Sequence, residues 1–256
     1  MSAETVTQVV TGAGRWYPGS TADLTRMVNA FIDRAQPPAV PGRILAALSP
    51  HAGYVYSGPV AGHTFRALRD QAAQQPPDLA VILGFTHRQT YPGTAFLSGD
   101  SIRSPLGESR LAADVAHRLS HHNTLLRLDN GPHRTEHSAD NQIPFIQAAL
   151  PDVPLLIGLT GDHDAATLDS LSAALVDLAR ERTMVVVAST DMLHDPDYDL
   201  VTRTDRHTLT QLEALDEAAI LADWGYDHQI LCGLLPTLVA LRVARASLRA
   251  SAPVKR

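Results

Sequence analysis

The chain has 256 residues, 45% of them hydrophobic, and a mean hydropathy of −0.06, which is typical of a folded globular protein. A net charge of −6 and only 5% aromatic residues argue against a nucleic-acid-binding protein, and no apolar run is long enough to predict a membrane span. We expect one domain over residues 1–256, and a cytoplasmic location because no secretory signal is recognisable and the single cysteine excludes an intramolecular disulfide.

Apolar runs of strand length alternate with segments of helical period along the chain. In chain order we predict a helix over 21–35, a strand over 43–49, a helix that begins at Pro59, a strand over 78–85, a strand over 94–103, a helix over 109–120, a strand over 124–128, a helix over 138–146 that Ser138 caps, a strand over 154–159, a helix over 168–178, a strand over 183–189 and a helix over 234–250. This alternation predicts an α/β fold with a central, mostly parallel sheet covered by helices on both faces. We expect the last helix to cover that sheet rather than to form a dimer seam.

Polar side chains follow three of the predicted strands. His51 comes after the first strand, His87 after the strand at 78–85, and Asp191 and His194 after the strand at 183–189. Ligands of parallel α/β sheets bind beyond the carboxyl ends of the strands, so these side chains are expected to meet at one sheet edge. Two imidazoles and a carboxylate are the ligand set of a non-haem Fe(II) site.

Two further segments carry residues that suit such a site. Cys232 precedes the last helix, where the helix N-terminus would favour its thiolate as a soft metal ligand, although a lone cysteine is more often a buried apolar side chain. Glu136 and His137 precede the helix that Ser138 is predicted to cap. His137 would either face the same sheet edge or close the turn.

Seven motifs occur in the order in which one known family carries them. They are AGRWYPGS (13–20), SPHAGYVYSG (49–58), VILGFTH (81–87), SPLGE (104–108), EHSADNQIPF (136–145), ASTDMLH (188–194) and CG (232–233). In these motifs the chain resembles the MEMO family, which includes protein B of the AmmeMemoRadiSam system and is related in fold to class III extradiol dioxygenases. Phe85 stands where the family usually has a proline, a change that could narrow the pocket.

The resemblance implies a metal site in which His51, His87 and Cys232 are the ligands. It makes His194 the acid–base residue, and Asp191 a residue that relays protons or supports the ligands. Fe(II) is the expected metal, with copper and zinc as alternatives.

The function expected from this site is an oxidoreductase of the dioxygenase type that activates O₂ on a small or medium organic substrate. Tyr54 and His137 are the candidate substrate-binding residues. The alternatives are a metal-containing protein without catalysis that binds a peptide or protein partner, and a zinc-dependent hydrolase. The pair of Asp191 and His194 favours chemistry over binding alone, because a site that only binds has no need of an acid–base pair.

Overall fold

The computed structural model describes residues 5–251 of the protein. Its strands are β1 (Thr7–Val9), β2 (Ala46–Ser49), β3 (Leu79–Phe85), β4 (Thr94–Phe96), β5 (Ser101–Ser104), β6 (Gly107–Arg110), β7 (Leu126–Leu128), β8 (Leu155–Thr160) and β9 (Met184–Ser189). Its helices are α1 (Thr21–Arg34), α2 (Tyr54–Ala72), α3 (Ala113–Ser120), α4 (Ile143–Ala149), α5 (Ala165–Glu181), α6 (Tyr198–Glu213), α7 (Glu217–Asp223) and α8 (Leu234–Ser251). None of the helices in the described part combines the length and apolar character that a membrane span requires.

Six strands form the central sheet, in the order β2-β9-β3-β8-β4-β7. All neighbouring pairs are parallel except β4 and β8, which confirms the predicted mostly parallel sheet. The strands β1, β5 and β6 form a separate small sheet that the sequence did not predict. The three strands that precede His51, His87 and Asp191 are therefore adjacent in the order β2-β9-β3.

The central strands are buried on both faces, and alternate residues of each strand enter different cores. In β3, Leu79, Val81 and Leu83 pack with the leucines of α5 and α8. Ala80 and Ile82 point the other way, into a core that they share with α1, α2 and α4. This arrangement confirms helices on both faces, and α8 packs on α5, β9, β2 and β3, as predicted for the last helix.

The segment predicted as one strand over 94–103 is divided between the two sheets. Residues 94–96 form β4 in the central sheet, and residues 101–104 form β5 in the small sheet. Between them Gly99 has a φ of +150°, a conformation that only glycine adopts without strain. The prediction was wrong here because residue propensity does not reveal that a glycine redirects the chain.

The helix predicted to begin at Pro59 begins five residues earlier, at Tyr54. Proline in a helix interior removes one donor and leaves a carbonyl without its helical partner. That carbonyl belongs to Val55, which is 70% exposed, so water can hydrate it. Proline therefore did not mark the first turn of this helix.

Ser138 does not cap the predicted helix over 138–146. A 3₁₀ turn occupies residues 140–142 before α4 begins at Ile143. The Ser138 hydroxyl instead donates to the Phe85 carbonyl (2.7 Å) and accepts from the Phe85 amide (3.1 Å). The serine thus joins the 136–142 segment to the end of β3.

Candidate metal centre

Three polar side chains stand at equivalent places on the sheet edge. His51, His87 and Asp191 each lie two residues beyond the end of their strand, respectively β2, β3 and β9. Ser49 pairs with Ser189 across β2 and β9, so the loops that follow these strands begin side by side. The topology thus brings together residues up to 140 positions apart.

Cys232 joins the two histidines at this edge. The ligand atoms of His51, His87 and Cys232 all lie within 4.8 Å of one another, and the Cys232 Sγ is 3.3 Å from the His51 Nε2. Gly233 permits this approach, because a Cβ there would collide with the Ser189 carbonyl. The structure therefore brings together the three ligands that the family resemblance implied.

Hydrogen bonds fix the tautomer of His51. The Ser189 hydroxyl donates its hydrogen to the Ser138 carbonyl (2.6 Å) and accepts from the Gln142 Nε2 (2.8 Å). The His51 Nδ1, 2.9 Å from the same hydroxyl, must therefore be the donor in that contact. The His51 Nε2, which faces the Cys232 Sγ, is therefore the ring nitrogen that is available for a metal.

Glu136 holds His87 in the same way. Its Oε1 accepts from the His87 Nδ1 (3.0 Å), and its Oε2 accepts from the His87 backbone amide (2.6 Å). The amides of His137 and Ser138 also donate to Oε1. Burial opposes ionisation, but the contact with the His137 ring and the hydrogen bonds from the His87 ring and amide hold the pKa of Glu136 far below its usual value, so Glu136 is a carboxylate. The His87 Nε2 remains free for a metal.

The segment 136–142 also holds the other ligand loop. The Asn141 Nδ2 donates to the His51 carbonyl (2.6 Å), and the Gln142 Nε2 donates to the Pro50 carbonyl (3.0 Å). One segment therefore positions both histidines. The sequence analysis did not identify Glu136, Ser189 and Gln142 as residues that position the ligands. The dense polar motif EHSADNQ could have indicated such a role, but its hydrogen-bond partners are 47 to 92 residues away in the chain.

The charges of the cluster favour a thiolate. Burial alone would raise the pKa of Cys232, but its hydrogen bonds with His51 and His87 lower it to about 5. Burial likewise opposes the charged form of His87, whereas its contacts with Cys232 and Glu136 raise its pKa to about 10. Without a metal, the positive charge of the protonated His87 ring balances the negative charge of the Cys232 thiolate. A bound metal would take over that role.

Asp191 lies between His51 and His194. Its Oδ1 accepts from the backbone amides of His51 (2.7 Å) and Ala52 (3.3 Å). Its Oδ2 is 3.8 Å from the His51 Nε2 and 3.7 Å from the His194 Nε2. Burial opposes ionisation, but the contact with His194 and the charge of His51 lower the pKa of Asp191 to about 2. The contact with Asp191 raises the pKa of His194, whose side chain is 72% exposed.

The two predicted substrate-binding residues occupy different environments. The ring of His137 stacks between Trp16 (3.9 Å) and His87 (4.9 Å), and its Nδ1 is 3.1 Å from the Glu136 Oε1. Tyr54 is only 2% exposed, and its hydroxyl donates to the Asn141 carbonyl (2.7 Å). Its hydroxyl is thus engaged within the protein, so we assign Tyr54 to packing and not to substrate contact.

An aromatic cluster stands next to His87. Phe85 lies 5.9 Å from the His87 ring and stacks on His163 at 4.3 Å, and the Trp224 ring meets the His163 ring edge-on at 4.5 Å. Burial lowers the pKa of His163 to about 4, so its ring is neutral at pH 7. The phenylalanine that replaces the usual proline is therefore part of an aromatic wall beside the candidate ligands.

The donor set fits one metal ion. Metal–nitrogen and metal–sulfur bonds of about 2.0–2.3 Å place donors roughly 3–4.5 Å apart, close to the separations within this cluster. A second group, formed by His87, Glu136 and His137, also brings its donors within 4.8 Å. An ion there would displace the amide donors of Glu136, so the group of His51, His87 and Cys232 fits a metal better.

Comparison with known proteins gives consistent matches over most of the chain. The Memo-like protein family matches residues 9–253. A MEMO1 family protein of Methanopyrus kandleri is 30% identical over 91% of this chain and 85% of that protein. One of Methanothermobacter thermautotrophicus is 28% identical over 92% of this chain and 88% of that protein. The crystal structure of an uncharacterized Escherichia coli K12 protein aligns with a TM-score of 0.49 at 18% identity, covering 78% of this chain and 89% of that one.

Proposed function

The chain belongs to the Memo-like protein family, and from its sheet-edge ligands we propose that it is a mononuclear non-haem iron oxidoreductase that activates O₂ on a small or medium organic substrate. The observation that carries this proposal is the cluster of His51, His87 and Cys232, with both histidine Nδ1 atoms already held by protein acceptors. Three protein donors leave coordination positions for other ligands. Bound Fe(II) would supply redox chemistry toward O₂ and a point of attachment for a chelating substrate.

His194 is the acid–base residue of this proposal. Its exposed ring can accept a proton from a substrate hydroxyl, and the Asp191 carboxylate, 3.7 Å away, stabilises the imidazolium that results. Asp191 also holds the His51 backbone through its other oxygen. Proton acceptance and ligand position are thus coupled through one carboxylate.

His137 and the aromatic wall flank the accessible side of the cluster. The His87 side chain is 34% exposed, whereas that of His51 is 1% exposed, so the cluster opens toward solvent at His87. His137 stacks on His87, and Phe85 approaches the edge of the same ring. We assign these neighbours to orienting a substrate whose metal-binding group enters beside His87.

Anaerobic purification, reconstitution with Fe(II) and metal analysis test the ligand assignment. We expect about one equivalent of iron in the wild type, and loss of iron in His51→Ala, His87→Ala and Cys232→Ala. His63→Ala is the matched control, because His63 is exposed on α2 and belongs to neither candidate metal group. Full iron retention in Cys232→Ala would remove the thiolate from the ligand set.

Oxygen uptake with catechols and other chelating phenols tests the activity. We expect His194→Gln to retain iron and to lose oxygen uptake, because it removes the proton acceptor and no ligand. Zinc as the sole bound metal, with no oxygen consumption after Fe(II) reconstitution, would contradict the proposal. That result would favour the hydrolase, since zinc with three protein ligands can activate water. Copper as the retained metal would keep the ligand assignment but replace the iron.

A further inference from the structure

A cavity of about 140 Å³ lies beside the candidate metal centre and is lined by three arginines. Arg15, Arg88 and Arg134 line it together with Thr11, Trp16, Thr135, Glu136 and His137. We call this cavity the arginine pocket. This volume is enough for one anionic group with some of its hydration.

The three guanidinium groups have no carboxylate partner among the described residues. Within residues 5–251, ten other arginines form ion pairs: Arg26, Arg66, Arg69, Arg103, Arg118, Arg127, Arg180, Arg182, Arg242 and Arg245. Arg34, Arg43, Arg110, Arg203 and Arg206 also form no ion pair among the described residues, but Arg15, Arg88 and Arg134 line one cavity together. The arginine pocket therefore concentrates positive charge that the protein does not neutralise itself.

Glu136 is the carboxylate that lines the pocket, and its oxygens are already engaged. Its Oε1 accepts from the His87 ring and from the amides of His137 and Ser138, while its Oε2 accepts from the His87 amide. It does not pair with Arg15, Arg88 or Arg134. Three arginines and one carboxylate line the cavity, so its lining carries a net positive charge. The planar fork of a guanidinium matches carboxylate and phosphate oxygens.

The arginine pocket adjoins the metal ligands through two residues. Arg88 directly follows His87 in the chain. His137 lines the pocket while its ring stacks 4.9 Å from that of His87 and lies 5.5 Å from that of His51. A molecule that binds the metal beside His87 is therefore next to the arginines.

We infer that the arginine pocket binds the carboxylate or phosphate group of an anionic substrate whose other end binds the metal. This inference rests on the proposed function for the metal-binding end, whereas anion binding by the arginines stands on the pocket alone. It narrows the substrate class to small organic anions. Arg15, Arg88 and Arg134 are its binding residues.

Calorimetric titration of inorganic phosphate and of acetate at low ionic strength tests the pocket. The titrations use the full-length Cys232→Ala protein, so that phosphate does not report coordination to iron. Adding Arg15→Gln, Arg88→Gln or Arg134→Gln should each weaken binding about tenfold, the loss expected for a charge-assisted hydrogen bond. Arg43→Gln is the matched control, because Arg43 lines a different cavity and precedes β2, at the opposite edge of the sheet. The tighter of the two probes identifies the anionic group.

A second titration tests whether the anionic group belongs to the metal-binding molecule. Catechol, 3,4-dihydroxybenzoate and 3-(3,4-dihydroxyphenyl)propionate are titrated into iron-loaded protein. We expect a carboxylated ligand to bind about tenfold more tightly than catechol, and to lose that advantage in Arg88→Gln but not in Arg43→Gln.

The two titrations separate failure of the pocket from failure of the iron site. Absence of phosphate and acetate binding, or equal binding by all arginine variants, would overturn the inference whatever the metal. Anion binding with no advantage for either carboxylated catechol would overturn the assignment to the substrate. A protein that holds no iron but binds anions through the three arginines would contradict the proposed function and leave the pocket supported.

Discussion

Replacing Glu136 by glutamine weakens the hydrogen bonds that position the candidate ligand His87, but it leaves His87 itself unchanged. The side chain is 1% exposed and accepts four hydrogen bonds, one of them from the His87 ring and one from the His87 amide. Glutamine has nearly the same shape but places an NH₂ group where one carboxylate oxygen was. In its better orientation the amide oxygen keeps the three donors at Oε1, and the NH₂ group faces the His87 backbone amide.

The magnitude follows from that one mismatched contact. A hydrogen bond to a charged group contributes about 1.5–3 kcal/mol, and a buried donor left without a partner costs about 1–3 kcal/mol. We therefore expect Glu136→Gln to lower the free energy of unfolding by about 2–4 kcal/mol. The neutral amide also orients the His87 ring less firmly, and loss of such a supporting group typically lowers metal affinity by about 10–100-fold.

Urea unfolding and competition with a chromophoric Fe(II) chelator measure the two effects. Glu181→Gln is the control, because Glu181 is a half-exposed carboxylate whose pairing with Arg118 is worth little at the surface. An iron affinity within twofold of wild type in folded Glu136→Gln would refute the idea that this carboxylate positions His87. Equal destabilisation by both variants would refute the magnitude assigned to the buried hydrogen bonds.

Three further predictions concern ligand support, pH and packing. Ser189→Ala removes the acceptor for the His51 Nδ1, so iron affinity in the same competition assay should fall about tenfold. Burial lowers the pKa of His133 from 6.5 to about 4, so at pH 5 the unfolded state binds a proton that the folded state does not. For this residue alone, the free energy of unfolding in urea should be about 2 kcal/mol lower at pH 5 than at pH 7. Gly84→Ala places a Cβ 2.5 Å from the Ser138 Oγ and should lower the unfolding free energy by about 1–3 kcal/mol.

Each of these predictions has a control within the chain. Ser120→Ala removes a serine hydroxyl that donates to the Ala116 and His117 carbonyls of α3, and should leave iron affinity unchanged. His133→Gln should flatten the loss of stability between pH 7 and pH 5, and an unchanged slope would contradict the assignment. Gly225→Ala adds a Cβ with no neighbour within 4 Å, so a loss equal to that of Gly84→Ala would show that packing is not the cause.

The sequence predicts the scaffold well where burial dominates. The runs that became β3, β8 and β9 are continuous apolar segments of six or seven residues, and such runs are typical of parallel strands covered on both faces. The positions of His51 and His87 follow from these strands, because parallel neighbours carry their following loops at one edge. Cys232 did not follow from any strand. Its place before the last helix made it one candidate ligand, but only the family resemblance favoured that role over a buried apolar side chain.

The supporting hydrogen bonds could not be read from the sequence. Glu136 is 49 residues from His87, Ser189 is 138 residues from His51, and none of these pairs has a spacing that local rules recognise. Ser138 fits the preference for serine at a helix N-cap, yet its hydroxyl bonds to the end of β3. Local propensity predicted a cap because it does not include the competing backbone groups that the folded sheet brings near.

Exposure across the cluster bears on whether its metal is structural or catalytic. Structural sites enclose the ion, usually with four protein ligands, whereas catalytic sites keep a position open. Here the His51 side chain is 1% exposed and Cys232 6%, but the His87 side chain is 34% exposed. Among the described residues, three side chains from separate loops form the cluster. The cluster is open to solvent at His87, and the next residue, Arg88, lines the arginine pocket. A site built only for stability would have no use for that opening, so the distribution of exposure favours a metal that reacts with a bound molecule.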